Sequence, residues 1–217
     1  MSFDTKTILS AVKEAKQNSK KRNFTQSIEL MINLRDIDMK KPESKIQEFV
    51  ELPHISEKKA RVCVIAGGDL AVRAKQAGAD LVIDRTELEA LAGDKKKMRE
   101  LANNYDFFIA EAPLMPLVGK ILGPLLGPRA KMPTPIAPMA DIGEQIEKRR
   151  KMVLIRTRGQ PVIQCRVGSE NMPDEEIAEN ILAVLRVVEG KLKRGIKNIS
   201  QIKIKTAMGS PVKVKTQ

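Results

Sequence analysis

Residues 27–35 read Ser-Ile-Glu-Leu-Met-Ile-Asn-Leu-Arg, with Ile28, Leu30, Ile32 and Leu34 at every second position. Side chains alternate between the faces of a strand, so this spacing predicts a half-buried strand. Before it, Ile8, Leu9, Val12 and Ala15 share one face of a helix over residues 5–18. After it, the turn 40–44 leads to a less cleanly patterned strand with Ile46, Glu48, Val50 and Leu52 on one face, closed by Leu52-Pro53-His54. The pattern then changes. Residues 61–66 are almost continuously apolar, as in a parallel strand covered on both faces. Gly67-Gly68-Asp69 follows, then a helix to about 77 and a short strand at 80–84. Helical stretches at 87–92 and 95–103 lead to another buried strand at 106–110. Strand alternating with helix is the signature of a Rossmann-like layered domain.

Residues 113–138 hold seven of the twelve prolines with Gly119, Gly123 and Gly127, which predicts turns and short helical pieces. A helix at 141–151 precedes strands at 152–157 and 162–167, joined by Gly159-Gln160-Pro161. The clearest helix is 174–188, where Ile177, Ile181, Val184, Leu185 and Val188 form a stripe. Its acidic first turn suits the helix dipole. The chain closes with strand-like runs at 199–206 and 212–214 around a Met208-Gly209 turn.

Charge divides the same chain. Its 217 residues carry +12, but residues 60–140 hold only +2 of this and the remainder +10. From 190 to the end there are eight Lys or Arg and no acid. The expected fold class is therefore α/β: an α+β split domain (1–59 and 153–217) with an inserted Rossmann-like three-layer domain (60–152). Two connections between the domains imply a double-linker hinge.

A strongly basic chain points to nucleic acid or an anionic membrane. No apolar run approaches the ~20 residues of a spanning helix, and the start lacks a signal-peptide core, so a cytoplasmic protein with no membrane partner is expected. His54 is the only histidine, which excludes multi-histidine zinc sites and Ser-His-Asp triads by count. Cys63 and Cys165 lie in apolar runs and read as buried thiols. Gly67-Gly68-Asp69 lacks the dinucleotide fingerprint and no phosphate-loop motif is present, so an ordinary strand-to-helix turn is favoured. No catalytic residue, metal or cofactor is expected.

Two clusters suit RNA. Lys13, Lys16, Lys20, Lys21 and Arg22 run into Asn23-Phe24-Thr25-Gln26-Ser27. Phe24 either stacks on a base or ribose or plugs the core; the pattern leaves both open. Arg156 and Arg158 share a strand face beside the Gly159 turn, with Arg166 beyond it. They either track a backbone or are simply exposed.

Arg22-Asn-Phe-Thr-Gln-Ser-Ile-Glu-Leu30, Ile121-Leu-Gly-Pro124 with Lys131-Met-Pro133, and Lys205-Thr-Ala-Met-Gly-Ser-Pro211, in this order, resemble the large-subunit ribosomal protein one family, archaeal branch. The resemblance runs nearly end to end. It implies a split RNA-binding domain and a hinged insert. It also implies binding of large-subunit rRNA of the 23S type, a place in the mobile stalk beside the exit-site tRNA, and repression of an mRNA operator resembling the rRNA site. The protein is expected on the ribosome in the cytoplasm, and as a monomer away from it. The RNA contacts it implies are Phe24, Thr25, Gln26, Ser27 and Glu29, with Thr206, Met208, Gly209 and Ser210. Lys13, Arg22, Arg156, Arg158, Gln164, Gly168 and Lys205 complete the candidate set.

In such a site Gly209 permits a tight turn or close approach, Met208 offers a flexible apolar contact, and Thr206 and Ser210 can bond 2′-hydroxyls. Two residues depart from the family pattern. Ala207 stands where the family has Thr, and Ala130 where it has Gly, which leaves the backbone angle at 130 open. The alternative functions are a nucleotide-dependent RNA-processing enzyme using the Rossmann-like domain and a general nucleic-acid coat protein.

Overall fold

A computed structural model describes residues 4–39, 45–55 and 59–214. The turn expected at 40–44 and the chain ends at 1–3 and 215–217 lie outside them. Helix α1 (Thr5–Gln17) starts where the Asp4 carboxylate accepts the Lys6 N–H, satisfying one of the donors that a helix start leaves open. Strands β1 (Ser27–Leu34) and β2 (Gln47–Glu51) follow. Then come β3 (Val62–Ile65), α2 (Gly68–Gln76), β4 (Leu81–Ile83), α3 (Arg85–Ala90), α4 (Lys95–Asn104) and β5 (Phe107–Glu111). The proline-rich stretch forms α5 (Met115–Ile121), α6 (Gly123–Leu126) and β6 (Thr134–Ile136). Helix α7 (Ile142–Arg150), strands β7 (Met152–Arg156) and β8 (Val162–Ser169), helix α8 (Asp174–Lys191), and strands β9 (Ile199–Thr206) and β10 (Val212–Lys213) complete the chain.

These elements form two compact units, one from residues 1–58 and 151–217, the other from 59–150. In the first, an antiparallel sheet has the order β10-β9-β1-β8, and β2 pairs with β7. Residues Ile28, Leu30, Ile32 and Leu34 are all buried, as their spacing predicts. They share a core with Ile163, Val167, Ile202 and Ile204. Both helices close this one face: α1 lies on β9 and β10, α8 on β8, and the helices on each other. Burying each such Ile or Leu contributes roughly 1.5–3 kcal/mol, so one face of a four-stranded sheet suffices for a core. The opposite face carries Glu29, Met31 and Asn33 of β1, flanked by Arg166 and Gln164 of β8 and by Lys205, Lys203 and Gln201 of β9.

In the second unit the sheet is parallel, in the order β4-β3-β5-β6. Cys63, Ile65, Phe108 and Ala110 face a core formed with α3 to α6. Val62, Val64 and Ile109 are equally buried on the other side, where α2 and α7 pack on β3. Helices on both faces make a three-layer α/β unit. One difference from expectation is β6: the proline-rich stretch contains a strand as well as helices. Pro135 is tolerated there because β6 is the sheet edge, where a missing N–H costs no ladder bond. A second point resolves an open angle: Ala130 holds the left-handed conformation at φ 57° without glycine.

Candidate nucleic-acid interface

Antiparallel pairing sets the site. Ser27 opposes Ser169 and Ile28 opposes Thr206, so the start of β1 meets the ends of β8 and β9. Three connections therefore converge at one end of the sheet: α1 to β1 (18–26), β8 to α8 (170–173), and β9 to β10 (207–211).

A buried amide ties them together. Gln26 is fully buried. Its Nε2 donates to Ser19 Oγ at 2.8 Å, to the Lys20 carbonyl at 3.2 Å and to Glu170 Oε2 at 3.3 Å. Its Oε1 accepts the Met208 N–H at 3.1 Å. The Gln26 N–H donates to Glu170 Oε1 at 2.8 Å, and the Glu170 N–H returns to the Gln26 carbonyl at 2.9 Å. One side chain thus bonds all three connections. Lys16 adds a second tie from α1, its Nζ donating to the Met172 carbonyl and pairing with Asp174, both at 2.6 Å.

Thr206 is also fully buried, donating its Oγ1 proton to Ser19 Oγ at 3.0 Å. The Gly209 N–H closes the turn onto the Thr206 carbonyl at 3.1 Å. A Cβ at Gly209 would sit 2.2 Å from Thr206 Oγ1, so this position needs glycine for the chain's own close approach. Around these buried groups, Phe24 is 53% and Met208 62% exposed. Phe24 is therefore no core plug. Arg22, Thr25, Ser210 and Lys13 are exposed as well.

Several candidates have roles other than those expected. Gln26 and Thr206 turn their polar atoms inward, engaged with the protein's own groups, so they shape the loops rather than present a free contact. Gly168 is buried against α8, where an added Cβ would lie 3.1 Å from Ile177 and 3.3 Å from Met172 Sδ. Its small size serves helix packing. Ser27 and Glu29 are half-buried at the site, with Glu29 3.9 Å from Lys205. Lys205 also donates to the Ala207 carbonyl at 3.0 Å. Gln164 is exposed across from Met31 on the open face.

Arg156 and Arg158 stand apart from this cluster. The Leu34 N–H donates to the Pro161 carbonyl at 2.7 Å, so the Gly159 turn lies at the opposite end of β1. Seven strand steps separate the two ends, roughly 23 Å at ~3.3 Å each. Burial, and then the neighbouring Arg158 charge, lower the Arg156 guanidinium pKa. Ser19 and Glu170 are central to the site and were missed. Neither carries a local signal, because their importance arises only when β8 and β9 bring distant segments beside β1.

The corresponding crevice of the second unit already holds a carboxylate. In an open parallel sheet, ligands bind at the strand C-termini where the strand order reverses. Here that point lies between β3 and β5, and the Glu111 carboxylate occupies it, accepting the Gly67 N–H at 3.0 Å. A carboxylate at the start of α2 occupies the position a nucleotide phosphate would take. Both thiols are unreactive, since burial pushes Cys63 and Cys165 up to about 12.

The profile of the Ribosomal protein L1p/L10e family matches residues 12–210. The chain belongs to this family. Large ribosomal subunit protein uL1 of Pyrococcus abyssi is 50% identical over 216 residues, spanning 99% of this chain and 98% of its own. Its counterpart in Archaeoglobus fulgidus is 46% identical over 214 residues, spanning 99% and 100%. That of Thermofilum pendens is 50% identical over 206 residues, spanning 94% and 91%. The Ribosomal protein L1p/L10e fold thus accounts for both units along almost the whole chain.

Proposed function

We propose that the chain is a structural, non-enzymatic constituent of the large ribosomal subunit in the cytoplasm, binding large-subunit rRNA at the loop end of its antiparallel sheet. The observation that carries this reading is the convergence of three connections on Gln26, with Phe24 and Met208 both exposed on those connections. A rigid loop cluster with projecting apolar side chains suits unstacked bases and riboses. The cations around it supply affinity with little sequence preference. The finer part of the reading follows the family resemblance: a mobile-stalk protein that hinges during release of deacylated tRNA from the exit site, and a repressor of its own mRNA through a similar RNA element.

Hydrogen exchange tests the interface. Adding an rRNA stalk fragment should protect amides in 18–27 and 206–211 and leave 159–161 unchanged. Protection spread evenly over the basic surface would refute a defined site. The nucleotide-enzyme alternative predicts a thermal shift with ATP or NAD. None is expected, because Glu111 holds the crevice those ligands would need.

A further inference from the structure

The turn after β9 fixes its backbone and leaves one sulfur in solvent. Three successive N–H groups are satisfied: Ala207 donates to the Ser27 carbonyl at 2.9 Å, Met208 to Gln26 Oε1 at 3.1 Å, and Gly209 to the Thr206 carbonyl at 3.1 Å. Lys205 Nζ holds the Ala207 carbonyl at 3.0 Å. A backbone movement that withdrew Met208 would break these bonds, so its thioether is held outward. The other sulfurs are placed differently. Cys63 and Cys165 are buried with their thiols pushed up to about 12, so neither offers the thiolate that oxidants attack. Met98 and Met172 are buried. Besides Met208, the exposed methionines among the described residues are Met132 and Met139, both in the second unit, with Met139 93% exposed. In the unit that carries the loop cluster, Met208 is therefore the one fully exposed thioether among the described residues.

We propose that Met208 is a site of reversible oxidation by peroxides, and that oxidation there weakens RNA binding at the loop end. The proposal rests on the RNA-binding reading above and adds a means of regulating that site. In the step, a sulfur lone pair attacks one oxygen of hydrogen peroxide and the O–O bond breaks. The S–O bond of the sulfoxide forms, and the sulfur gives up two electrons to the peroxide. The proton on the transferred oxygen passes to the departing hydroxide, which leaves as water. A thiol-dependent sulfoxide reductase reverses the change: two thiols become a disulfide and the oxygen leaves as water. Oxidation alters what the turn presents. The thioether is apolar and polarisable and suits the face of a base or ribose, whereas the sulfoxide is polar. Its acceptor oxygen must be desolvated against a base face and is opposed by the acceptor oxygens of phosphates. None of the main-chain bonds of the turn involves the sulfur, so the contact changes while the fold is kept.

The test treats the full chain with hydrogen peroxide, maps sulfoxides by peptide mass spectrometry, and measures affinity for an rRNA stalk fragment before and after. Met208 and Met139 should oxidise ahead of the buried Met98 and Met172. Wild-type affinity should fall about tenfold, the scale of a lost thioether–aromatic contact, with the melting temperature unchanged. Methionine sulfoxide reductases for both epimers should restore it. Each variant is compared with its own untreated form: Met208→Leu should be insensitive to peroxide, while Met139→Leu should show the full wild-type loss. Bound stalk fragment should slow oxidation of Met208 and leave that of Met139 unchanged. Met208 intact when Met139 is fully oxidised would overturn the proposal, as would an equal loss in Met208→Leu or unaltered affinity of wild type oxidised at Met208. Untreated wild type with no preference for the stalk fragment over unrelated RNA would instead sink the RNA-binding reading, and the proposal with it.

Discussion

At the end of β9 the chain turns through Met208 and Gly209, and at the end of β3 it turns through Gly67 and Gly68. In sequence both read as glycine turns after a strand. In the structure they have opposite roles. The Gly209 turn is held from beneath by Gln26 and Thr206 and lifts Met208 into solvent. The Gly67 turn is capped from above by the Glu111 carboxylate, so its anion-binding N–H is already taken. The sheets explain the contrast. An antiparallel sheet with helices on one face leaves a face and both ends open, while a parallel sheet covered on both faces offers only its strand ends. A glycine turn after a strand is therefore no evidence of a site until it is known which side chain meets it.

The largest effect should come from removing the tie itself. Gln26→Ala would remove a partner from the Met208 N–H, the half-buried Ser19 hydroxyl and the half-buried Glu170 carboxylate, at about 1–3 kcal/mol, and RNA affinity should fall at least a hundredfold. Urea unfolding and a binding titration check both. A variant that binds normally would mean the loops hold their shape without it. Gly209→Ala comes next, losing about 1–3 kcal/mol through overpacking against Thr206. Combining it with Thr206→Ala should recover much of that loss, a coupling a double-mutant cycle would reveal; strict additivity would contradict the close approach. Met208→Ala should cost about tenfold in RNA affinity with stability within about 0.5 kcal/mol of wild type, as for an exposed side chain. Equal losses of binding and stability would make Met208 structural. The smallest change belongs to the second unit: Ala130→Gly relieves a left-handed alanine and should raise stability by up to about 1 kcal/mol with no change in RNA binding.

Most of the fold was legible because it rests on local periodicity. The alternation in β1, the apolar runs of β3 and β5 and the stripe of α8 each report burial of that element alone. The short β6 was hidden, since Pro135 argues against a strand unless the strand is known to be the edge. The site was legible as motifs but not as roles. Phe24, Thr25, Met208 and Ser210 are exposed at one end of the sheet, as the motifs suggest. Gln26 and Thr206 sit in the same motifs yet face inward, because in a strand or a tight turn neighbouring residues point to opposite sides. Arg156 and Arg158 carry the charge that suits a phosphate backbone, but strand direction places them at the far end of the sheet. Ser19 and Glu170 act only through partners distant in sequence, which no local pattern encodes.

Recognition of a particular RNA rather than of charge alone is what the proposed loop-end interface requires. It is tested most directly by binding of wild-type protein to an rRNA stalk fragment and to unrelated RNA of equal length across a salt series. A strong preference that survives at ~0.2 M salt is predicted, where a purely electrostatic binder with several phosphate contacts has lost orders of magnitude. Equal binding to both RNAs, collapsing together as salt rises, would contradict it.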